Sequence, residues 1–395
     1  MTTLKATLQK KIDDKTPKMI EMRRYLHQHP ELSFEEEKTS QYIVDFYKGK
    51  DCDVKTNVGG YGVVVTIDSG KPGKTIALRA DFDALPITEE TGLEFTSKNP
   101  GCMHACGHDA HTSYMLTLAD TLLEIKDQLV GKVVILHQPA EETPPGGAIA
   151  MIKDGCLEGV DNVLGVHLWS PIDTGDIHYC LGATMAGRSS FKVKFKGKGG
   201  HGAVPHEAND TIVAASQFVV AAQTIVSRRV SPFEMATLTI GNFDGRGSFN
   251  VIKDSVFIEG DVRSMDPATR ELVAKEFKSI LDGIAAMFRI EYELFYEHDY
   301  PVLMSDEALT SSVIHSIETA GIENLNEISL AQANPASEDF AYYSEVVPSS
   351  YIFVGAKPAS GEFFPHHHPK FDINEDAMGI AAKAIGTATL DYLLG

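Results

Sequence analysis

The feature that most constrains this chain is a set of short, nearly continuous apolar runs, Val133 to Leu136, Val163 to Val166 and Ile352 to Val354, each flanked by Gly or Pro. Runs of this length without polar alternation read as strands covered on both faces. Two β-branched runs, Val63 to Ile67 and Ile76 to Leu78, come earlier. Asp109 to Leu129 carries Tyr114, Met115, Leu118, Leu122 and Leu123, which predicts a long amphipathic helix. Lys5 to about Tyr47 also has helical spacing, broken at His29-Pro30. Strands alternating with helices predict an α/β fold with a central mixed sheet and flanking helices.

The middle of the chain has another rhythm. Strands are expected at Phe191 to Phe195, Ala236 to Ile240, Val256 to Val262 and Ile290 to Phe295, with helices at Asp210 to Arg228 and Pro267 to Phe288. The order βαββαβ is a split-βαβ unit, a self-contained α+β, ferredoxin-like domain. The expected organisation is a discontinuous domain, 1–185 and 300–395, interrupted by an inserted domain, 186–299. At 395 residues and 43% hydrophobic, the chain has material for both cores.

Charge narrows the partners. Against 35 Lys and Arg stand 55 Asp and Glu, a formal charge of -20 that repels phosphate backbones and anionic lipid. Nucleic acid and membrane partners are therefore not expected. No apolar run reaches the length of a bilayer span, and the charged N-terminal sequence has no secretory pattern. The five cysteines (Cys52, Cys102, Cys106, Cys156 and Cys180) are few and odd in number, which fits a reducing, cytoplasmic setting.

Polar residues follow the predicted strands. Asp81 and Asp83 come after the Ile76 run, Glu141 and Glu142 after Val133 to Leu136, and His167 directly after Val166. Open α/β sheets place their sites beyond the carboxyl ends of strands. The densest cluster is His104-Ala105-Cys106-Gly107-His108-Asp109-Ala110-His111, in front of a helix. Thiolate and imidazole at this spacing suit zinc, and manganese or cobalt once carboxylates join. His104 and His111 remain equally readable as hydrogen-bonded imidazoles. Of the adjacent Glu141 and Glu142, one can bind metal while the other takes a proton from water.

Eight ordered segments together resemble the amidohydrolase branch of the aminoacylase and metallo-carboxypeptidase family. They are Arg79 to Pro86, Met103 to His111, Gln138 to Glu142, Gly165 to His167, Lys198 to Ala203, Asn250 to Ile252, Ser337 to Phe340 and His367 to Pro369. The resemblance implies a dinuclear-metal exopeptidase-like catalytic domain with the inserted domain as a lid and dimerisation element. It implies two divalent ions per subunit, manganese or zinc with cobalt as a third candidate, held by Cys106, His108, Glu142, His167 and His367. His366 and His368 flank the last ligand, so its register stays open. Glu141 is implied as general base, Asp83 as the carboxylate behind a ligand, His201 as an oxyanion donor, and Asn250 and Arg263 as substrate-binding residues.

The implied activity is hydrolysis of the amide bond of N-acetyl or aromatic-acyl amino acids by a metal-activated water. A small N-acyl amino acid is then the partner, in a homodimer or higher homo-oligomer. Dipeptidase or carboxypeptidase action is the nearby alternative, and a catalytically silent metal-binding scaffold the distant one. A thiolate ligand at Cys106 is open to oxidation, so peroxide should lower activity and reductant restore it, as a simple rate assay checks.

Overall fold

The computed structural model describes residues 3–395, which divide into two compact units. The first runs up to Thr184 and resumes over Met304–Gln332 and Asp339–Gly395; the second comprises Met185–Leu303 and Ala333–Glu338. Residues 333–338, expected in the catalytic domain, thus belong to the inserted one. Among the described residues no helix is long and apolar enough to cross a membrane.

The first unit is built on an 8-stranded mixed sheet. Its centre is four parallel strands, Lys132–Gln138, Thr75–Asp81, Asn162–Trp169 and Ser349–Gly355, in that spatial order. They are buried almost throughout, which is why their sequences are apolar without alternation. Gly62–Asp68 and Asp53–Val58 extend one side antiparallel; Asp176–Tyr179 and Glu327–Leu330 extend the other. Of these outer strands only Gly62–Asp68 has an apolar signature; Asp53–Val58 is largely exposed and polar.

Helices Leu4–Gln28, His108–Glu124 and Asp376–Leu394 pack on one another, and the latter two also reach the sheet. The amphipathic expectation for the second of them is corrected. Every residue from His108 to Ala119 is buried, so it is a core helix that turns sequence to protein on all sides. Thr112, Ser113, Thr117 and Thr121 satisfy their hydroxyls on backbone carbonyls, which lets polar residues occupy its interior faces.

An ion-pair network beneath the start of this helix carries a pH signature. Arg23 Nε lies 3.1 Å from Asp109, and His27 Nδ1 lies 2.9 Å from the same carboxylate, with His27 Nε2 3.2 Å from Glu89. Burial opposes charging of His27, but its hydrogen bonds to Asp109 and Glu89 outweigh it and raise its pKa from 6.5 to about 9. Because the folded value is the higher, this stabilisation is complete below about pH 6.5 and is lost as pH rises through about 9. It is worth on the order of 3 kcal/mol. Urea unfolding should therefore show stability falling over that interval, and His27→Gln should flatten the fall.

The second unit carries the βαββαβ order as read. Its 4-stranded antiparallel sheet runs Ala236–Asp244, Ser255–Ser264, Gly187–Lys196, Glu291–Tyr300. Helices Thr211–Arg228 and Pro267–Phe288 pack on the sheet around Phe191, Phe195, Phe218 and Phe277. Along Gly187–Lys196 burial alternates, so Lys192 and Lys194 point away from that core.

Candidate metal centre

The site lies in the first unit, at the carboxyl ends of its parallel strands. The Thr75–Asp81 strand runs out into Asp83, Lys132–Gln138 leads to Glu141 and Glu142, and His167 lies within Asn162–Trp169. Gly107, at φ +90°, turns the chain so that Cys106 and His108 flank the entry to the His108–Glu124 helix.

The ligand-type atoms of these residues converge. Those of Cys106, His108 and His167 lie within 4.8 Å of one another, as do those of Cys106, Glu142 and His367, and those of His108, Glu141 and Glu142. Cys106 Sγ is 3.5 Å from His167 Nε2; His367 Nε2 is 3.2 Å from Glu142 Oε2. His108 Nε2 and Glu142 Oε1, 3.8 Å apart, are buried without a hydrogen-bond partner. Buried polar atoms are rarely left orphaned, and here they face one another across a space rimmed by sulfur, nitrogen and oxygen donors. This donor set fits a divalent cation.

Backbone partners fix which ring nitrogens offer a lone pair. His167 Nδ1 donates to the carbonyl of Leu168 at 2.8 Å, and His108 Nδ1 faces the carbonyl and carboxylate of Asp83 at 3.0 and 3.2 Å. Both rings therefore present Nε2 unprotonated to the cluster when neutral. His111 has the same tautomer, with its Nε2 occupied. The amide of Leu168 donates to its Nε2 at 3.0 Å, so its Nδ1 carries the proton and donates to Asp81 at 2.6 Å. Both ring nitrogens of His111 are thus hydrogen-bonded. His104 is buried with neither nitrogen partnered.

The electrostatics describe a site built for positive charge. Burial opposes protonation of His108, yet Asp81, Asp83 and Glu142 overcome it and raise its pKa to about 10. Burial, then Glu142, Glu141 and Asp81, push the Cys106 thiol well up. Burial together with His111 and His366 holds His167 well below its usual value, as a neutral imidazole.

Several supports were not legible in the sequence. Asp83 accepts from Ser33 Oγ at 2.7 Å and from the amide of Glu142 at 3.0 Å, tying the Glu141-Glu142 turn to the ring of His108. Glu36 accepts from the amide of Ala140 at 2.8 Å, holding a residue at φ +54° in front of Glu141. Burial, then Asp83, raise the Glu36 pKa to about 8. Deeper in the unit, Arg79 contacts Asp81, donates to Gln138 Oε1 at 2.9 Å and to Asp339 Oδ1 at 2.9 Å, and Gln138 donates to Asp339 at 2.8 Å. His367 itself sits at φ +66°, its amide donating to the carbonyl of Ala105 at 2.8 Å. His368 is turned away, stacked on Phe364.

The other three predicted site residues lie in the second unit. His201 sits in a short antiparallel pair with Val251, and the amide of Gly202 donates to the carbonyl of Asn250 at 2.8 Å, which brings His201 and Asn250 together. The amide of Ala203 donates to His201 Nδ1 at 3.1 Å, so the neutral ring has its proton on exposed Nε2. Arg263 lies on another strand; its Nε donates to Asp261 and its Nη1 to Ser337, each at 2.7 Å.

A mixed sheet with this donor cluster and a buried carboxylate at the ends of its parallel strands has the parts of a metal-dependent hydrolase, and the chain's relatives make the bond an amide. The chain matches the model for peptidase family M20/M25/M40 over residues 77–391, and it belongs to that family. It is 42% identical over 360 residues to the N-acetyl-L-cysteine deacetylase of Bacillus subtilis, covering 91% of this chain and 84% of that one. To the N-acyl-L-amino acid amidohydrolase of Geobacillus stearothermophilus it is 40% identical over 304 residues, 77% and 82% of the two chains. The crystal structure of Bacillus subtilis YXEP, a dinuclear metal-binding peptidase of the M20 family, matches with a TM-score of 0.84 and 30% identity, covering 97% of this chain and 99% of that one.

Proposed function

We propose that this chain hydrolyses N-acyl amino acids, with N-acetyl or aromatic acyl groups, using two divalent ions held by Cys106, His108, Glu142, His167 and His367. The observation that carries this reading is the meeting of orphaned His108 Nε2 and Glu142 Oε1 with the lone pairs of Cys106 and His167, next to Glu141. Divalent ions there would polarise the amide carbonyl and lower the pKa of a water. Manganese or zinc suits the mixed donors, and cobalt substitutes.

Glu141 accepts the proton of the attacking water and delivers it to the departing amine nitrogen. Asp83 keeps the proton of His108 on Nδ1, away from the cluster. His201, with its proton on Nε2, is a donor suited to the developing oxyanion. Asn250 binds the substrate's carbonyl side, and Arg263 its carboxylate, through guanidinium hydrogens left beside Asp261 and Ser337.

The activities of the Bacillus subtilis deacetylase and the Geobacillus stearothermophilus amidohydrolase favour an acylated amine over a free one. The test is a panel of acetyl-amino acids, hippurate and dipeptides, assayed after chelation and readdition of zinc, manganese or cobalt. Turnover of the acylated substrates, lost on chelation and restored by metal, is expected; preferential cleavage of dipeptides would assign a dipeptidase instead.

We further assign a homodimer formed through the inserted domain, whose 186–299 segment also serves as lid. Supporting this, the Thr211–Arg228 helix has no charged residue before Arg228, yet exposes Val213 and Val220. In a chain of net charge -20, an uncharged outer face marks a contact surface. A cytoplasmic setting is supported by all five cysteines being unpaired.

A further inference from the structure

His366 precedes the proposed ligand His367, and its ring is held at both nitrogens and on both faces. Its Nε2 accepts from the amide of Ser170 at 3.2 Å. Its faces are covered by Trp169, stacked with centroids 4.3 Å apart, and by Phe371 at 4.8 Å. Its Nδ1 faces Cys106, 3.6 Å from Sγ.

A backbone amide can only donate, so Nε2 must carry the lone pair. The proton of the neutral ring is then on Nδ1. A neutral imidazole protonated at Nδ1 has no lone pair there for a metal. To ligate through Nδ1, His366 would have to protonate Nε2 against the Ser170 N–H, leaving two hydrogens opposed. His108 and His167 share this Nδ1–H tautomer, but their Nδ1 protons go to oxygen acceptors and their Nε2 atoms face the donor cluster instead of a backbone amide.

We propose that His366 is not a metal ligand but a positioning residue, whose Nδ1–H donates to Cys106 and holds its thiolate in the cluster. The inference rests on the reading of Cys106 as a ligand. A hydrogen bond to a metal-bound thiolate withdraws charge from sulfur and tunes the metal it binds. It would also confine Sγ to one rotamer, facing the other donors of the cluster.

The test uses full-length protein loaded with cobalt(II). His366→Phe keeps a ring between Trp169 and Phe371 but removes both nitrogens; His366→Asn returns a donor near the Nδ1 position. Removing the donor raises the energy of the sulfur lone pair. The thiolate-to-cobalt charge-transfer band should therefore move to longer wavelength in His366→Phe and back in His366→Asn, with cobalt per chain unchanged. Loss of a cobalt ion in His366→Phe, or an unmoved band, overturns the inference.

A second measurement needs no variant. In zinc-loaded protein with nitrogen-15 histidine, the His366 ring should report as the Nδ1–H tautomer, and an Nε2–H tautomer overturns the proposal. If the unaltered cobalt protein has no thiolate band, Cys106 is not a ligand and both readings fall. The band shift without hydrolysis of any N-acyl amino acid supports the role of His366 and removes only the proposed substrate.

Discussion

Glu141→Gln is expected to retain its metal and lose turnover by about 10²–10⁴-fold, the usual worth of a positioned general base. The substitution preserves size and hydrogen-bonding reach while removing proton affinity from a buried side chain. Glu142 stands beside it with one oxygen against His367 and the other orphaned opposite His108. Metal content should therefore respond to Glu142→Gln and not to Glu141→Gln. Elemental analysis beside steady-state kinetics separates the two, and turnover surviving in Glu141→Gln would remove the proposed base.

The second large effect is on stability. Arg79→Met should destabilise the first unit by about 3–5 kcal/mol, the cost of stranding buried partners of a charge network. Arg79, Asp81 and Asp339 are all buried, and Gln138 can serve only part of the deficit. Against the cost of its burial, Arg79, His108 and His111 hold the Asp81 carboxyl well below its usual pKa, so losing the guanidinium leaves an anion with too little compensation. Urea unfolding followed by circular dichroism measures the loss. A midpoint within error of the unaltered protein would show that water or His111 compensates Asp81 fully.

The parallel centre of the sheet is readable because strands buried on both faces leave apolar runs, as Val133 to Leu136 does. The polar edge strand Asp53–Val58 leaves none, since one row of its side chains meets solvent. The helix at His108–Glu124 was readable as a helix but not as a buried one. Its serines and threonines look solvated in sequence, whereas in the fold they bond carbonyls of their own turn or of Asp81. The cluster of candidate ligands was legible from residue types clustered after strands. Its supports, Ser33, Glu36 and the ring of His366, were not, because each acts through a backbone amide or a neighbouring side chain that only the fold supplies.

His367 occupies the left-handed backbone region, which a side chain with a Cβ enters at a cost of roughly 1–2 kcal/mol. Glycine there would relax the loop, and the emptied protein would gain robustness as it forfeited an imidazole. An imidazole standing in an unfavourable torsion trades durability for the donor atom it brings to the cluster.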